Sequence, residues 1–265
     1  FDFKILILFF STLITFPLFL FCYQLKRTYL SLLISYPYFV VVIGMGPIRQ
    51  AAAIGFVMLS IILASRNKYN LIYIVTIISS FLHFSSIIFT SLAFISFENL
   101  PKKNNDNLLR IIFLLGISLI IIYNFDWLYT KLFYQFKYHS VLTKAKSAIY
   151  VWAINFLPML LYFTNITKFN FNKGLHKVCS FFLVYEVLLF ILIFINNIIA
   201  YRFLLYCFPI TIYIISYLPD VQILKIKSNF IVFNIVLLSV SSLILWIKYA
   251  NHSYCWLPYQ NLIFS

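Results

Sequence analysis

Carboxylates are scarce in this chain. Six Asp and Glu residues serve all 265 positions (Asp2, Glu98, Asp106, Asp126, Glu186 and Asp220), and none is paired at close spacing. A glycosidase working with two facing carboxylates is therefore disfavoured, and no Asp-x-Asp pair offers magnesium to a nucleotide sugar. Glycine is also rare, at five residues. There is neither a glycine-rich phosphate loop nor a Gly-x-Ser-x-Gly elbow, which argues against enzymes that take soluble activated donors. The four cysteines, Cys22, Cys179, Cys207 and Cys255, show no paired spacing that would indicate a zinc site or a disulfide framework, and read as small apolar residues. No metal or cofactor is expected. Internal repeats, low-complexity tracts and a soluble domain are missing too.

What fills the chain is hydrocarbon. Hydrophobic residues make up 63% and charged residues 10%, with a mean hydropathy of +0.98. A soluble domain of this size would not tolerate that balance, so the fold class is all-α, a polytopic transmembrane helical bundle forming one integral membrane domain over 1–265. The net charge is +14, but the lysines are spread over short loops. They read as topology signals and contacts to membrane lipids, so no nucleic acid is expected as a partner. The chain opens on Phe1, and Lys4 is followed by an apolar run to Phe21 with no small-residue cleavage site. This is a span rather than a signal peptide, and further spans are expected to precede it.

About ten helical segments are predicted, at 5–22, 29–44, 49–65, 69–82, 84–97, 108–123, 147–163, 178–200, 203–218 and 228–247. Residues 69–97 are too long for one span of roughly 20 residues and too short for two. The polar kernel His83-Phe84-Ser85-Ser86 divides them, with Arg66 and Lys68 before and Lys102 and Lys103 after. A short hairpin with His83 at its tip returns both basic ends to one side. With that hairpin, a modest excess of basic residues lies inside, and Arg49, His83 and Arg202 share the outer side. A single span would have separated Arg202 from Arg49.

Residues 125–146 are too polar to span, yet Phe125, Leu128, Leu132 and Phe136 recur at helical spacing. They predict an interfacial amphipathic helix over the outer mouth, where Trp127, Tyr134 and Tyr138 meet headgroups or a sugar. Glu186 falls inside an apolar run, well below the outer side by its spacing. It is either a functional carboxyl or one that is merely protonated or paired. The tail from 251, with Trp256-Leu257-Pro258-Tyr259, is aromatic without being a span.

Gly44-Met45-Gly46-Pro47-Ile48-Arg49-Gln50 separates two uncharged runs. The glycines permit unusual backbone angles and Pro47 suits a helix start, so Arg49 falls in the first turn of the next helix. A helix N-terminus holding an arginine suits an anion, although a lone arginine there also snorkels to headgroups. Arg202, in Ala200-Tyr201-Arg202-Phe203-Leu204-Leu205-Tyr206, lies at an abrupt join between apolar runs and needs a partner. Two guanidiniums stay charged in low dielectric and grip phosphate oxygens in pairs, which fits a diphosphate and stabilises it on departure without a metal. His83, with Ser85 beside it, is a proton shuttle, a phosphate donor or a structural hydrogen-bonder.

Gly46-Pro47-Ile48-Arg49-Gln50, Phe81-Leu82-His83-Phe84-Ser85, Tyr201-Arg202-Phe203 with Tyr206, and Leu257-Pro258-Tyr259 occur in an order that resembles the EpsG-type polymerases of exopolysaccharide, capsule and O-antigen synthesis, within the broader Wzy-type group. The front departs from the family, which has further N-terminal spans and a large outer loop. The resemblance implies a GT-C-like, metal-independent membrane glycosyltransferase on the outer face of a bacterial cytoplasmic membrane. It would transfer a growing glycan from undecaprenyl diphosphate to a lipid-linked repeat unit, alongside a chain-length regulator. Arg49 and Arg202 would hold the diphosphates and His83 would move a proton or bind the leaving group. Gln50, Ser85, Tyr201, Tyr206 and Tyr259 would help to bind substrate. Rival readings are a lipid-linked glycan flippase, a membrane O-acyltransferase acting on glycans, and a glycan ligase.

Overall fold

The computed structural model describes residues 3–44, 46–92, 147–221 and 227–249. Within them the chain is helices joined by short turns, with no strand among the described residues. In order these are α1 (Phe3–Gln24), α2 (Thr28–Ser35) running on as a π-helix (Tyr36–Ile43), α3 (Ile48–Ser65), α4 (Tyr69–Leu82) and a 3-10 helix (Phe84–Thr90). Then come α5 (Ser147–Thr164), α6 (Lys173–Ile195), α7 (Asn197–Leu204), α8 (Phe208–Tyr217) and α9 (Ser228–Tyr249). The segments Lys4–Gln24, Ile48–Ser65, Lys173–Ile195 and Asn197–Asp220 are each long and apolar enough to cross a membrane.

The bundle is built around α3. Ala51, Ala52, Ala53, Ile54, Val57, Met58 and Ile61 are all fully buried. The close packing depends on Gly55, where a Cβ would stand 3.2 Å from the Leu13 carbonyl oxygen and 3.2 Å from the Cβ of Pro17 on α1. Small residues let apolar helices approach when lipid supplies no hydrophobic drive between them. Outward faces are apolar instead. Leu8, Phe16 and Phe19 on α1 and Val184, Leu188 and Phe194 on α6 are exposed, Phe194 to 72%. Such surfaces belong in hydrocarbon, where only internally bonded backbone is stable. The chain is a membrane protein.

Several boundaries differ from the sequence reading. The predicted span 178–200 starts earlier, at Lys173, because Asn172 caps α6 by accepting from the Leu175 N–H at 2.8 Å. It also ends earlier, at Asn196, whose side chain accepts from the Ile199 N–H at 3.0 Å and starts α7. Arg202 thus lies in the last turn of α7 and not in a join. Asn196 is the local cause, since its side chain substitutes for the helical acceptor. Gly44 and Gly46 have no positive φ. They provide room instead, for a Cβ on Gly46 would approach the Val42 carbonyl oxygen to 3.0 Å. Helix α4 does break at His83, which is extended (φ −152°, ψ 118°), but the chain continues from it as a 3-10 helix rather than an α-helical arm. The rest of that arm (93–97), the segment 108–123, the amphipathic stretch 125–146 and the tail with Tyr259 lie outside the described residues.

Candidate active site

The site is assembled where the start of α3, the end of α4 and the end of α7 converge. Pro47 ends the preceding turn and Ile48 opens α3, so Arg49 and Gln50 occupy its first turn. The two side chains take opposite directions. Gln50 is 1% exposed and its Nε2 donates to the backbone carbonyl of Arg202 at 2.5 Å. Arg49 is exposed, and its Nε donates to the carbonyl of Leu82 at 3.2 Å. That carbonyl belongs to the last residue of α4, an orphan acceptor at a helix C-terminus. One turn of α3 therefore fixes both the α4 end and the α7 end, and it places Arg49 and Arg202 at the same end of the bundle.

His83 comes directly after Leu82. Its N–H bonds the Ser79 carbonyl at 3.0 Å, and Ser79 Oγ donates in turn to the Ala53 carbonyl of α3 at 2.9 Å. The imidazole Nδ1 lies 2.6 Å from Ser85 Oγ and 3.1 Å from the Tyr206 hydroxyl, and those two hydroxyls are 2.9 Å apart. Such a triangle orients the ring and assigns Nδ1 to structure, leaving Nε2 as the ring atom available to chemistry. Burial first, then the charges of Arg49 and Arg202, push the imidazole down from the ordinary 6.5 to about 4. At neutral pH it is uncharged, and both guanidiniums act on it.

Tyr206 anchors the triangle. It is fully buried, and its ring packs on Phe89 with centroids 5.0 Å apart. Phe89 also meets Tyr185 of α6 at 5.3 Å and Phe182 at 5.5 Å. This sets Tyr206, which the sequence reading expected to help bind substrate, against the histidine, where it holds the ring. Gln50 is buried likewise. Tyr201, half-buried on α7, accepts from the Tyr38 hydroxyl at 3.4 Å. Tyr38 comes from the π-helix, which starts at Tyr36-Pro37, and its ring also packs on Phe208 at 5.1 Å. Sequence reasoning did not single out Tyr38, Ser79 or Phe89. The Tyr-Pro-Tyr step at 36–38 is the one local signal that pointed to an irregular helix, a form often found at functional sites.

Glu186 is closer than its spacing predicts. It is 0% exposed, neither carboxyl oxygen has a hydrogen bond of ordinary geometry, and the group lies against the thiol of Cys207, the residue after Tyr206. Among the described residues the arrangement offers two cationic forks and one neutral imidazole, with no carboxylate bonded to any of them. It can bind an oxyanion with two charges and accept or supply one proton.

Comparison with curated proteins and with solved structures finds no match. The sequence model described as the EpsG family matches residues 1–261, nearly the whole chain. The chain with this arginine and imidazole cluster belongs to the EpsG family of exopolysaccharide polymerases of the Wzy type.

Proposed function

We propose that the cluster transfers a growing glycan from a polyprenyl diphosphate to the free end of a second lipid-linked repeat unit at the outer face of the cytoplasmic membrane. The observation that carries this reading is the convergence of Arg49, His83 and Arg202 through the bonds made by Gln50, Leu82 and Arg202. An acceptor hydroxyl attacks the anomeric carbon, the bond from that carbon to the diphosphate breaks, and the lipid diphosphate leaves with the bonding electrons. Arg49 and Arg202 stabilise the charge that grows on it, most strongly in the transition state. The proton of the acceptor hydroxyl passes to Nε2 of His83. A neutral imidazole is free to take it, and the arriving diphosphate screens the arginines and raises its affinity for the proton. Ser85 and Tyr206 keep the ring in place, and Tyr201, braced by Tyr38, borders Arg202.

The test is the polymer ladder. Arg49→Ala and Arg202→Ala are expected to abolish it while the protein still inserts in the membrane, with single lipid-linked repeats accumulating on the outer leaflet. Lysine at either position should restore only part of the activity, because it lacks the two-pronged fork. A normal ladder from either alanine variant would end the proposal. Accumulation on the inner leaflet would favour a flippase, and loss of acetyl groups at normal chain length an acyltransferase.

A further inference from the structure

At the far end of α3 from Arg49 lies a cavity of about 460 Å³ that glycan transfer does not use. It opens where α1 ends at Gln24, where α3 ends at Ser65 and where residues 170–172 lead into α6. Helix α3 has 18 residues, so about 27 Å separates its two ends. This volume lies within the range of small-ligand sites.

The lining has a consistent chemistry. Arg66, which caps α3, is exposed, and its guanidinium makes no ion pair or hydrogen bond among the described residues. No carboxylate lines the cavity among the described residues. Asp220, the described acid after α8, is already bonded to Arg27 at 2.7 Å and to Lys26 at 3.4 Å. Among the described residues the charge lining the cavity is therefore positive, with no acidic partner. In the same lining, Tyr213 and Tyr217 stack at 5.4 Å with 11° between their planes, and Phe171 stands edge-on to both. Gln24 and Asn170 add carboxamides to the lining. A guanidinium suits a phosphate, amides suit hydroxyls, and a wall of rings suits the C–H face of a carbon chain that carries them.

We infer that this cavity binds a phosphate ester of a polyol, with Arg66 on the phosphate and Gln24 and Asn170 on the hydroxyls. Its place at the ends of apolar helices is the level of lipid headgroups, and the glycerophosphate of an anionic phospholipid has this chemistry. Soluble glycerol phosphate shares it. The site is independent of the arginine and imidazole cluster, and it stands or falls without reference to glycan transfer.

The full chain is purified into nanodiscs of phosphatidylcholine, of phosphatidylcholine with phosphatidylglycerol, and of phosphatidylcholine with glycerol phosphate in solution. Native mass spectrometry then counts bound ligand, and thermal unfolding measures protection. Wild type and Lys168→Ala, an exposed cation outside the cavity, are expected to retain phosphatidylglycerol, whereas Arg66→Ala and Asn170→Ala retain it more weakly. For Arg66→Ala the loss should be roughly tenfold, as for one charge-assisted contact. Protection by glycerol phosphate alone with the same dependence on Arg66 would support the site and identify a soluble source. Equal retention by wild type and Arg66→Ala, or no preference for either phosphate over phosphatidylcholine, would overturn it. Both substituted side chains are exposed, so size-exclusion profiles are expected to match wild type.

Discussion

His83 sets how the site responds to pH. The folded protein holds this imidazole's proton only near pH 4, whereas an unfolded chain holds it near 6.5. Between those values the unfolded state binds the extra proton, so the contribution to stability is intact above 6.5 and is lost as pH falls through the window. Thermal midpoints taken from pH 7 to pH 4 should decline, and His83→Asn should remove that part of the slope. Arg49→Gln, which deletes one of the two repelling charges, should narrow the window from its lower end. A slope unchanged by His83→Asn would mean that the imidazole is not where the cluster puts it. Glu186 poses a different question. It is fully buried with no cation or hydrogen-bond donor of ordinary geometry beside it among the described residues, and a charge left there is expensive. Glu186→Gln is therefore expected to keep stability within about 1 kcal/mol, and Glu186→Lys to prevent folding, both read by unfolding in detergent. Arg49, His83 and Arg202 could be singled out by residue type, because ionisable groups at the ends of apolar runs are conspicuous. Their partners could not. Ser79, Phe89 and Tyr38 look like any other residue of a hydrophobic helix.

At the scale of the element, helices were predictable where a run of apolar residues meets a breaker, and less so where the breaker was a side chain. The Pro47 start of α3 and the break at His83 follow from local chemistry. The stop at Asn196 was missed because an asparagine inside an apolar run ends a helix only when its side chain captures a backbone N–H, as it does with Ile199. The π-helix at Tyr36–Ile43 has only the Tyr-Pro-Tyr step at its start as a local sign, since an all-apolar run shows no polar face from which a widened helical turn could be read. The crossing of α1 over α3 depends on one glycine. Gly55→Val would bring new methyl groups against the Leu13 carbonyl and Pro17, from which even a Cβ stands 3.2 Å away. The helices must then separate, and a loss of about 1–3 kcal/mol is expected. Because α3 carries Arg49 and Gln50, the same substitution should shorten the polymer ladder without touching the site. Unfolding in detergent and the ladder together measure this; a wild-type midpoint would show that α1 yields freely.

For the molecule as a whole, the placement of the arginine cluster at one end of α3 and the polyol cavity at the other makes a topological statement. The described cysteines Cys22, Cys179 and Cys207 are buried, so introduced thiols can be read against a quiet background once Cys255 is replaced. Pro47→Cys is expected to react with a membrane-impermeant reagent in intact cells, and Lys68→Cys only after the membrane is opened; both positions are exposed. Labelling of both from one side would contradict the span of α3. By itself the sequence determined that the chain is a helical membrane protein, because composition and run length leave no other way to satisfy the backbone in lipid. It also determined which end of which run carries each charge. Only the tertiary structure decided that Gln50 reaches the carbonyl of Arg202, that Tyr206 lies under His83, and that Arg66 faces a ring-walled cavity. Those contacts join residues more than a hundred positions apart, and they depend on how closely helices approach and rotate, which side-chain volumes set jointly and no single stretch encodes.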